Sequence, residues 1–397
     1  RTLARTRAMG LLAGDAACPG LEAIERVKAM AGLILHKPEL VEALLHAPDA
    51  EATQAFLAVP KLERPWRDYL AAHPQPALGA DKLESPPLAE APLFVARAVG
   101  AMASLLQVYP YLAEDHGNGP HPLRAEAMAD LAPALKWRPW RRRALAWLLP
   151  ALEGALRRRE AWRLRQALLV ERTRAIAHGI ARQLFANGLL EAPGDLFYLT
   201  GGELFDALEG SGPTADLKAL VRLRRREYAD WARRPAPPDD FTTTGPVYLG
   251  NAFRAEPGPG LETTTDPDGG DDAREGDCAC PGLVRGTVRV VREADAQGGA
   301  VPYAMPGEVL VLSHPDPGWV VFLPSVAGLV LERDDAMGHL AVLARALGLP
   351  TLVGVSGVGD WLRTGDWVEL DSAQGRLTRM GMADAAEAEG SEAVAEA

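Results

Sequence analysis

Apolar residues recur at three- and four-residue steps through LEAIERVKAMAGLILHKPELVEALLHA, starting at Leu21, the spacing that turns one face of a helix inward. Asp49 and Pro60 interrupt the pattern. Pro74 to Pro92 is irregular and rich in proline, and PLFVARAVGAMASLLQVYPYLA then resumes the helical period. EDHGNGPHPL is loop chemistry. The longest periodic stretch predicts a helix from about Arg141 to Asn187, with Asn187-Gly188 as its C-cap. Thr200 or Gly201 opens another helix through Glu203, and LKALVRLRRREYADWARR forms a further one that ends at Pro235.

The period changes from Pro281. GTVRVVRE alternates, while GEVLVLSH and AGLVLER are short apolar, β-branched runs bounded by turns. HLAVLARALG reads as a helix, TLVGV as a buried strand, and DWVELDSAQGRLTRM as a closing hairpin. Between the two patterns lie RPAPPDDFTTTGP and EPGPGLETTTDPDGGDDAREGD, which hold too little apolar surface to order themselves. The pattern therefore predicts a multidomain chain: a mainly α-helical N-terminal region followed by a compact α/β domain. The boundaries read as a helical domain at 1–234 and a Pro/Gly/Asp-rich linker at 235–279, in which VYLGNAFRA is a short strand. The α/β domain follows at 280–381, and an acidic, Ala-rich tail at 382–397.

Composition narrows the function classes. The 397 residues suffice for two or three domains at roughly 150 residues each. The 42 basic and 53 acidic residues give a net charge of −11, which argues against nonspecific nucleic-acid binding. No apolar run approaches the roughly 20 residues that cross a bilayer, so no membrane partner is expected. The opening RTLARTRAMG lacks the apolar core of a secretory signal and an initiator Met, as expected of a processed chain or a piece of a longer one. Three cysteines make no disulfide framework and fit a reducing, cytoplasmic setting. Cys278 and Cys280 have no histidine near them in sequence, so no metal site is expected there. One local feature departs from the acidic whole. Arg138 to Arg174 contains RPWRRR and RRREAWRLR, either a solvated helix face or a surface that meets phosphate or an acidic partner.

In order along the chain, PGLVRGTVRVV, GEVLVLSHPDPGW, AGLVLE, GHLAVLARALGLPTLVGV and GDWVELDSAQG resemble the mobile phosphohistidine (swivelling) domain of the PEP-utilising enzymes. That family includes phosphoenolpyruvate synthase, pyruvate phosphate dikinase and rifampicin phosphotransferase. RRREAWRLRQALL and ANGLLEAPGDLFYLTGGEL are similar to the helical region that precedes this domain in the first and last of these. The resemblance implies a mechanism. An ATP-grasp domain phosphorylates a histidine, the domain swings on its linkers, and the phosphoryl group passes to an acceptor. His339 holds the phosphoacceptor position. Its place before HLAVLARALG puts a carried phosphate at a helix N-terminus, against unpaired N–H groups and the positive dipole end. A neutral imidazole also has the free lone pair a nucleophile needs.

The loop before His339 departs from the family pattern. Asp334 and Asp335 stand where two glycines are usual, Met337 replaces Thr, and Gly338 replaces Ser or another small residue. Two carboxylates repel a carried phosphate by about 1 kcal/mol each at contact range in high dielectric. Asp adopts the open backbone of glycine poorly, and Met removes a hydroxyl donor. Against this, Asp334 and Asp335 can orient the imidazole or hold Mg²⁺. In the helical region the family's His-Arg pair and Pro-Arg-Trp stretch reduce to His73 and Pro86 within HPQPALGADKLESPPLAEAP.

Other residues carry two readings. Arg345, in an ARAL segment like the family's AREL, either pairs with phosphate or a neighbouring domain or is a surface arginine. Glu332 precedes the histidine loop and is placed to help position it. His314, Asp316 and Trp319 read as turn residues in SHPDPGW, and His178 as a helix residue. His116 and His121 flank a Gly-Pro loop, and Trp137, Trp140, Trp147 and Trp162 read as packing anchors or as an acceptor pocket.

Two functions stand. The first is the phosphocarrier and acceptor portion of an ATP- or PEP-dependent phosphotransferase, with His339 as the transient carrier and Arg345, Glu332, Gly338, Asp334 and Asp335 in support. The second is a catalytically degenerate member acting as an interaction or regulatory module. The sequence shows neither an ATP-grasp region nor a PEP/pyruvate barrel. ATP and Mg²⁺ are therefore implied only through an ATP-grasp partner, in cis if the chain is a fragment and otherwise in trans, and a small-molecule acceptor fits the helical region.

Overall fold

A computed structural model describes residues 10–12, 19–73, 78–79, 82–85, 88–109, 122–211, 216–233, 272–292 and 303–380. The chain forms two compact units, one from residues 1–169 with 270–397 and the other from 170–269.

The first unit opens with α1 (Pro19–Ile34), α2 (Pro38–His46), α3 (Asp49–Leu57), α4 (Pro60–Ala72) and α5 (Leu93–Val108). Three of these begin on proline, whose fixed φ suits a first helical turn and whose missing N–H costs nothing there. Helix α5 is apolar all round because it is buried all round: Phe94, Val95, Val99, Met102 and Leu106 are all sequestered. Its buried Arg97 donates to the carbonyls of Leu44 (2.7 Å) and Ala47 (2.8 Å) and to the Asp49 carboxylate (3.1 Å). One cation thus satisfies the orphan carbonyls at the end of α2. Helix α6 (Pro122–Lys136) and the long α7 (Pro139–Ala186) follow.

The C-terminal domain is built on strands β1 (Ala273–Glu275), β2 (Asp277–Cys280), β3 (Leu283–Val291), β4 (Val309–Leu312), β5 (Gly328–Leu331), β6 (Thr351–Val353), β7 (Trp367–Asp371) and β8 (Arg376–Arg379). Their order in the sheet is β1-β8-β7-β3-β4-β5-β6-β2. Strands β3 to β6 run parallel to their neighbours, and the outer pairings are antiparallel. The parallel strands read as unbroken apolar runs because both faces are covered. Val309, Val311 and Val330 pack with Leu352, Val368 and Leu370 on one face. Leu310, Leu312, Leu329 and Leu331 pack on the other, against α10 (His339–Leu347) and a 3-10 turn at Pro317–Phe322. That second face is continuous with the core of α1 and α5. Phe94 stands edge-on against both Trp319 (5.2 Å between centroids) and Phe322 (5.0 Å). A short helix, α11 (Val358–Trp361), follows β6.

The fold class is the one read from the sequence, helices first and a mixed α/β domain after. Strands β1 and β2 lie inside the segment whose composition reads as linker. Their edge pairings, β1 on β8 and β2 on β6, supply order that a Gly- and Asp-rich composition hides. The rest of that segment up to Asp271, the strand read at VYLGNAFRA, the acidic tail, Pro86, His116 and His121 lie outside the described residues.

In the second unit, Ala181, Leu184, Leu190, Leu196, Leu217 and Val221 form a small core. Its helices beyond α7 are α8 (Gly201–Glu209) and α9 (Leu217–Ala232). Helix α7 ends with Gly188 at φ +73°, and Thr200 caps α8 in a reciprocal box with Glu203. His178 packs edge-on against Phe197, 5.3 Å between centroids. Among the described residues no helix is long and apolar enough to cross a membrane.

Candidate active site around His339

His339 is the first residue of α10, preceded by Gly338 as N-cap. The helix is placed by its apolar face: Leu340, Leu343 and Ala344 are buried against the sheet. Gly20 of α1 allows a close approach on the other side. A Cβ there would come within 2.7 Å of the Leu343 side chain and 3.4 Å of His339 Cε1.

The imidazole meets a side chain distant in sequence. Nδ1 of His339 lies 2.6 Å from Oε2 of Glu160 on α7. The second carboxylate oxygen, Oε1, accepts from Nε (3.2 Å) and Nη2 (2.8 Å) of Arg159. Glu160 is 2% exposed and His339 13%. Burial is the largest single influence on Glu160 and opposes its charge. The hydrogen bonds and charges of His339 and Arg159 together outweigh burial and bring the carboxyl down to about 2. The ring also lines a cavity of about 300 Å³ shared with Arg159, Trp162, Arg163, Gln166, Asp335, Met337 and Gly338. A nucleophilic side chain at a helix N-terminus thus opens on a space rimmed by two arginines, a setting that favours an anionic group.

The two loop carboxylates fold the loop. Asp334 accepts from the Asp335 N–H (2.8 Å), and Asp335 from the Met337 N–H (2.6 Å). Burial and the neighbouring Asp335 charge raise the Asp334 carboxyl above the ordinary aspartate range, while the Asp335 N–H, Arg163 and His339 pull the other way. The Asp334 carboxylate lies so close to Gly338 that a Cβ there would fall 2.0 to 2.2 Å from its atoms. Among the described residues no group of three or more His, Cys, Asp or Glu is placed to hold a metal ion.

The remaining sequence candidates sit around this loop. Arg345 is buried, and its guanidinium donates to the carbonyls of Ala279 (2.8 Å) and Ala336 (2.5 Å). It ties the edge strand β2 to the histidine loop. Glu332 accepts from the Gly357 N–H (3.2 Å) and so braces the turn after β6. Asp316 caps the 3-10 turn through Gly318 (3.0 Å) and also accepts from Gly79 (2.5 Å). His73 is buried beside Tyr69. Cys278 and Cys280 are buried, and burial raises the Cys280 thiol to about 12. Trp137, Trp140, Trp147 and Trp162 are all exposed and so do not anchor the packing, and Trp162 also lines the cavity. Glu160 and Gln166 were not singled out in the sequence, and Arg159 and Arg163 entered only as members of the basic run from Arg138 to Arg174. The available signal was the basic run RRREAWRLRQALL, with Glu160 as the one acid inside it.

The C-terminal domain is a mixed α/β fold with a histidine opening a helix beside its parallel strands. Residues 304–375 match the family described as PEP-utilising enzyme, mobile domain. An uncharacterised protein of Mycobacterium tuberculosis is 32% identical over 225 residues, covering 56% of this chain and 23% of the relative. Rifampicin phosphotransferases of Bacillus subtilis and Streptomyces sviceus are 28% and 31% identical, each over 54% of this chain and 21% of the relative. The chain thus spans less than a quarter of the length of these curated relatives.

Proposed function

We propose that this chain is the phosphocarrier and acceptor portion of a phosphotransferase, with His339 as the transient phosphohistidine. The observation that carries the reading is the cavity: an imidazole at the start of α10 facing a space flanked by Arg159 and Arg163. The ring nitrogen attacks the donor phosphorus as the donor's P–O bond breaks and the nucleotide leaves with its electron pair; the N–P bond then breaks as the phosphoryl group passes to an acceptor hydroxyl, whose proton must be removed. Arg159 and Arg163 offset the charge of the carried group, and the α10 N-terminus adds its dipole. ATP and Mg²⁺ belong with a donor ATP-grasp domain, in cis or in trans. The test is incubation with a matched ATP-grasp partner and labelled ATP. Acid-labile, alkali-stable label on His339, absent from His339→Asn, supports the reading. No label on the wild type, when a chain with the family loop restored does label, ends it.

One observation favours a second reading, a non-enzymatic interaction module. Asp335 lines the same cavity and repels an incoming phosphate. In that case the labelling experiment stays blank for the wild type while the chain remains folded.

A further inference from the structure

We infer that Glu160 is a positioning residue that selects the reactive nitrogen of His339, holding the proton on Nδ1 and leaving the lone pair on Nε2. The geometry stands alone, and its use in catalysis rests on the phosphocarrier reading. Nδ1 and Oε2 are 2.6 Å apart, a distance that requires one proton between them. An ionised carboxylate has no hydrogen to give, so the imidazole must be the donor. Glu160 is ionised at neutral pH, since its carboxyl is brought down to about 2. It is also immobilised. Arg159 grips Oε1 with two N–H groups, so the carboxylate cannot swing away from the ring without breaking both. The other charged groups on this side of the ring are Arg163 on α7 and Asp334 and Asp335 on the loop.

The arrangement does more than orient a neutral ring. When Nε2 attacks phosphorus, a nitrogen–phosphorus bond forms, the leaving group departs with its electron pair, and positive charge appears on the imidazole. The Nδ1 proton then lies between that charge and the Glu160 carboxylate. A carboxylate behind a working histidine fixes its tautomer and stabilises its cation, and loss of such a partner lowers rates by at least an order of magnitude.

The test uses the full chain with ¹⁵N-labelled histidine, as wild type, Glu160→Gln, Glu160→Ala and His339→Asn. Imidazole ¹⁵N shifts read the tautomer with no phosphate present. The wild type should show the Nδ1–H form, and Glu160→Ala a mixture. Phosphoramidate then serves as a small donor: its P–N bond breaks, the phosphoryl group moves to the ring, and ammonia leaves after taking a proton. The wild type should carry phosphate on Nε2 alone. In Glu160→Ala the initial rate should fall on the order of tenfold to a hundredfold, with both nitrogens labelled. Glu160→Gln keeps an oxygen that accepts from Nδ1, so it should restore the regiochemistry without restoring the rate. An Nε2–H tautomer in the wild type, no Nε2 labelling of the wild type, or Glu160→Ala with unchanged tautomer, rate and regiochemistry would overturn the inference. A blank result with the ATP-grasp donor alone would instead end the carrier reading and leave the tautomer assignment in place.

Discussion

Replacing Arg345 with methionine should loosen the loop that presents His339 and should do so through stability rather than through charge at the cavity. Arg345 is 1% exposed and donates to the carbonyls of Ala279 and Ala336. A hydrogen bond from a charged donor contributes roughly 1.5–3 kcal/mol net, so two such bonds contribute about 3–6 kcal/mol. Methionine keeps most of the aliphatic volume, so the packing loss is small. Removing a buried charge returns part of its desolvation cost, and burial is the dominant influence lowering the arginine's own pKa. The net expectation is a loss of about 2–4 kcal/mol, or roughly 3–6 °C in Tm for a unit of this size. Thermal melts by circular dichroism read the stability, and phosphoramidate labelling of His339 at a temperature where the variant is folded reads the site. Arg345→Lys, with one charged donor able to reach one carbonyl, should fall between. A variant that melts within a degree of the wild type yet loses labelling would refute the reasoning and return Arg345 to a phosphate-binding role.

Three further outcomes follow from the same packing. Gly338→Ser should cost about 1–2 kcal/mol by pushing the Asp334 carboxylate aside, and the pair Asp334→Gly with Gly338→Ser should recover most of it, a coupling read by a double-mutant cycle in urea. The Glu160 contribution should depend on acid in a defined window. Its folded pKa of about 2 lies below the ordinary 4.5, so its stabilisation is present above about pH 4.5 and is lost as pH falls toward 2. Urea melts of wild type and Glu160→Gln should differ most near neutral pH and converge in acid. Phe94→Ala should cost roughly 3–5 kcal/mol, because its ring fills the seam between α5 and the aromatic pair Trp319 and Phe322. A loss below about 1 kcal/mol would show that the seam repacks freely.

The elements of the α/β domain were legible because each has one dominant signal. Leu310 and Leu312 alternate with Val309 and Val311 across a sheet covered on both faces, so the run is apolar and short, bounded by turn residues. Helix α10 shows a clear 3.6 period and ends at Gly348 with φ +71°. His339 was legible through motif order and its place before that helix. Glu160 was not. A lone glutamate among arginines reads as a local ion pair, and its pairing with Arg159 satisfies that reading. Only the packing of α7 beside α10 reveals the second partner. The same limit applies to Arg345, whose carbonyl acceptors are backbone atoms and leave no trace in side-chain identity. Strands β1 and β2 were hidden for a different reason, since edge strands this short are ordered by the neighbours they pair with, not by their own apolar content.

The departures in the loop before His339 also look different once they are placed in space. Taken singly, each acts against phosphate binding: two carboxylates for two glycines, a glycine for a hydroxyl residue. In the fold, Asp334 and Gly338 are one change. The Asp334 side chain occupies the space that a Cβ at position 338 would need, so any larger residue at 338 must push that carboxylate aside. A glycine at the first position frees that space for serine. Asp335 then closes the turn by accepting from Met337. The added negative charge meets positive charge nearby, since Arg163 lowers the Asp334 carboxyl against the effect of burial and both Arg159 and Arg163 rim the cavity. An unrelated drift of four positions would leave clashes and uncompensated charges. Here the backbone is hydrogen-bonded by the new carboxylates, the clash is avoided by the new glycine, and the histidine keeps a buried carboxylate of its own. That last contact fixes the imidazole at the start of α10, where the cavity opens.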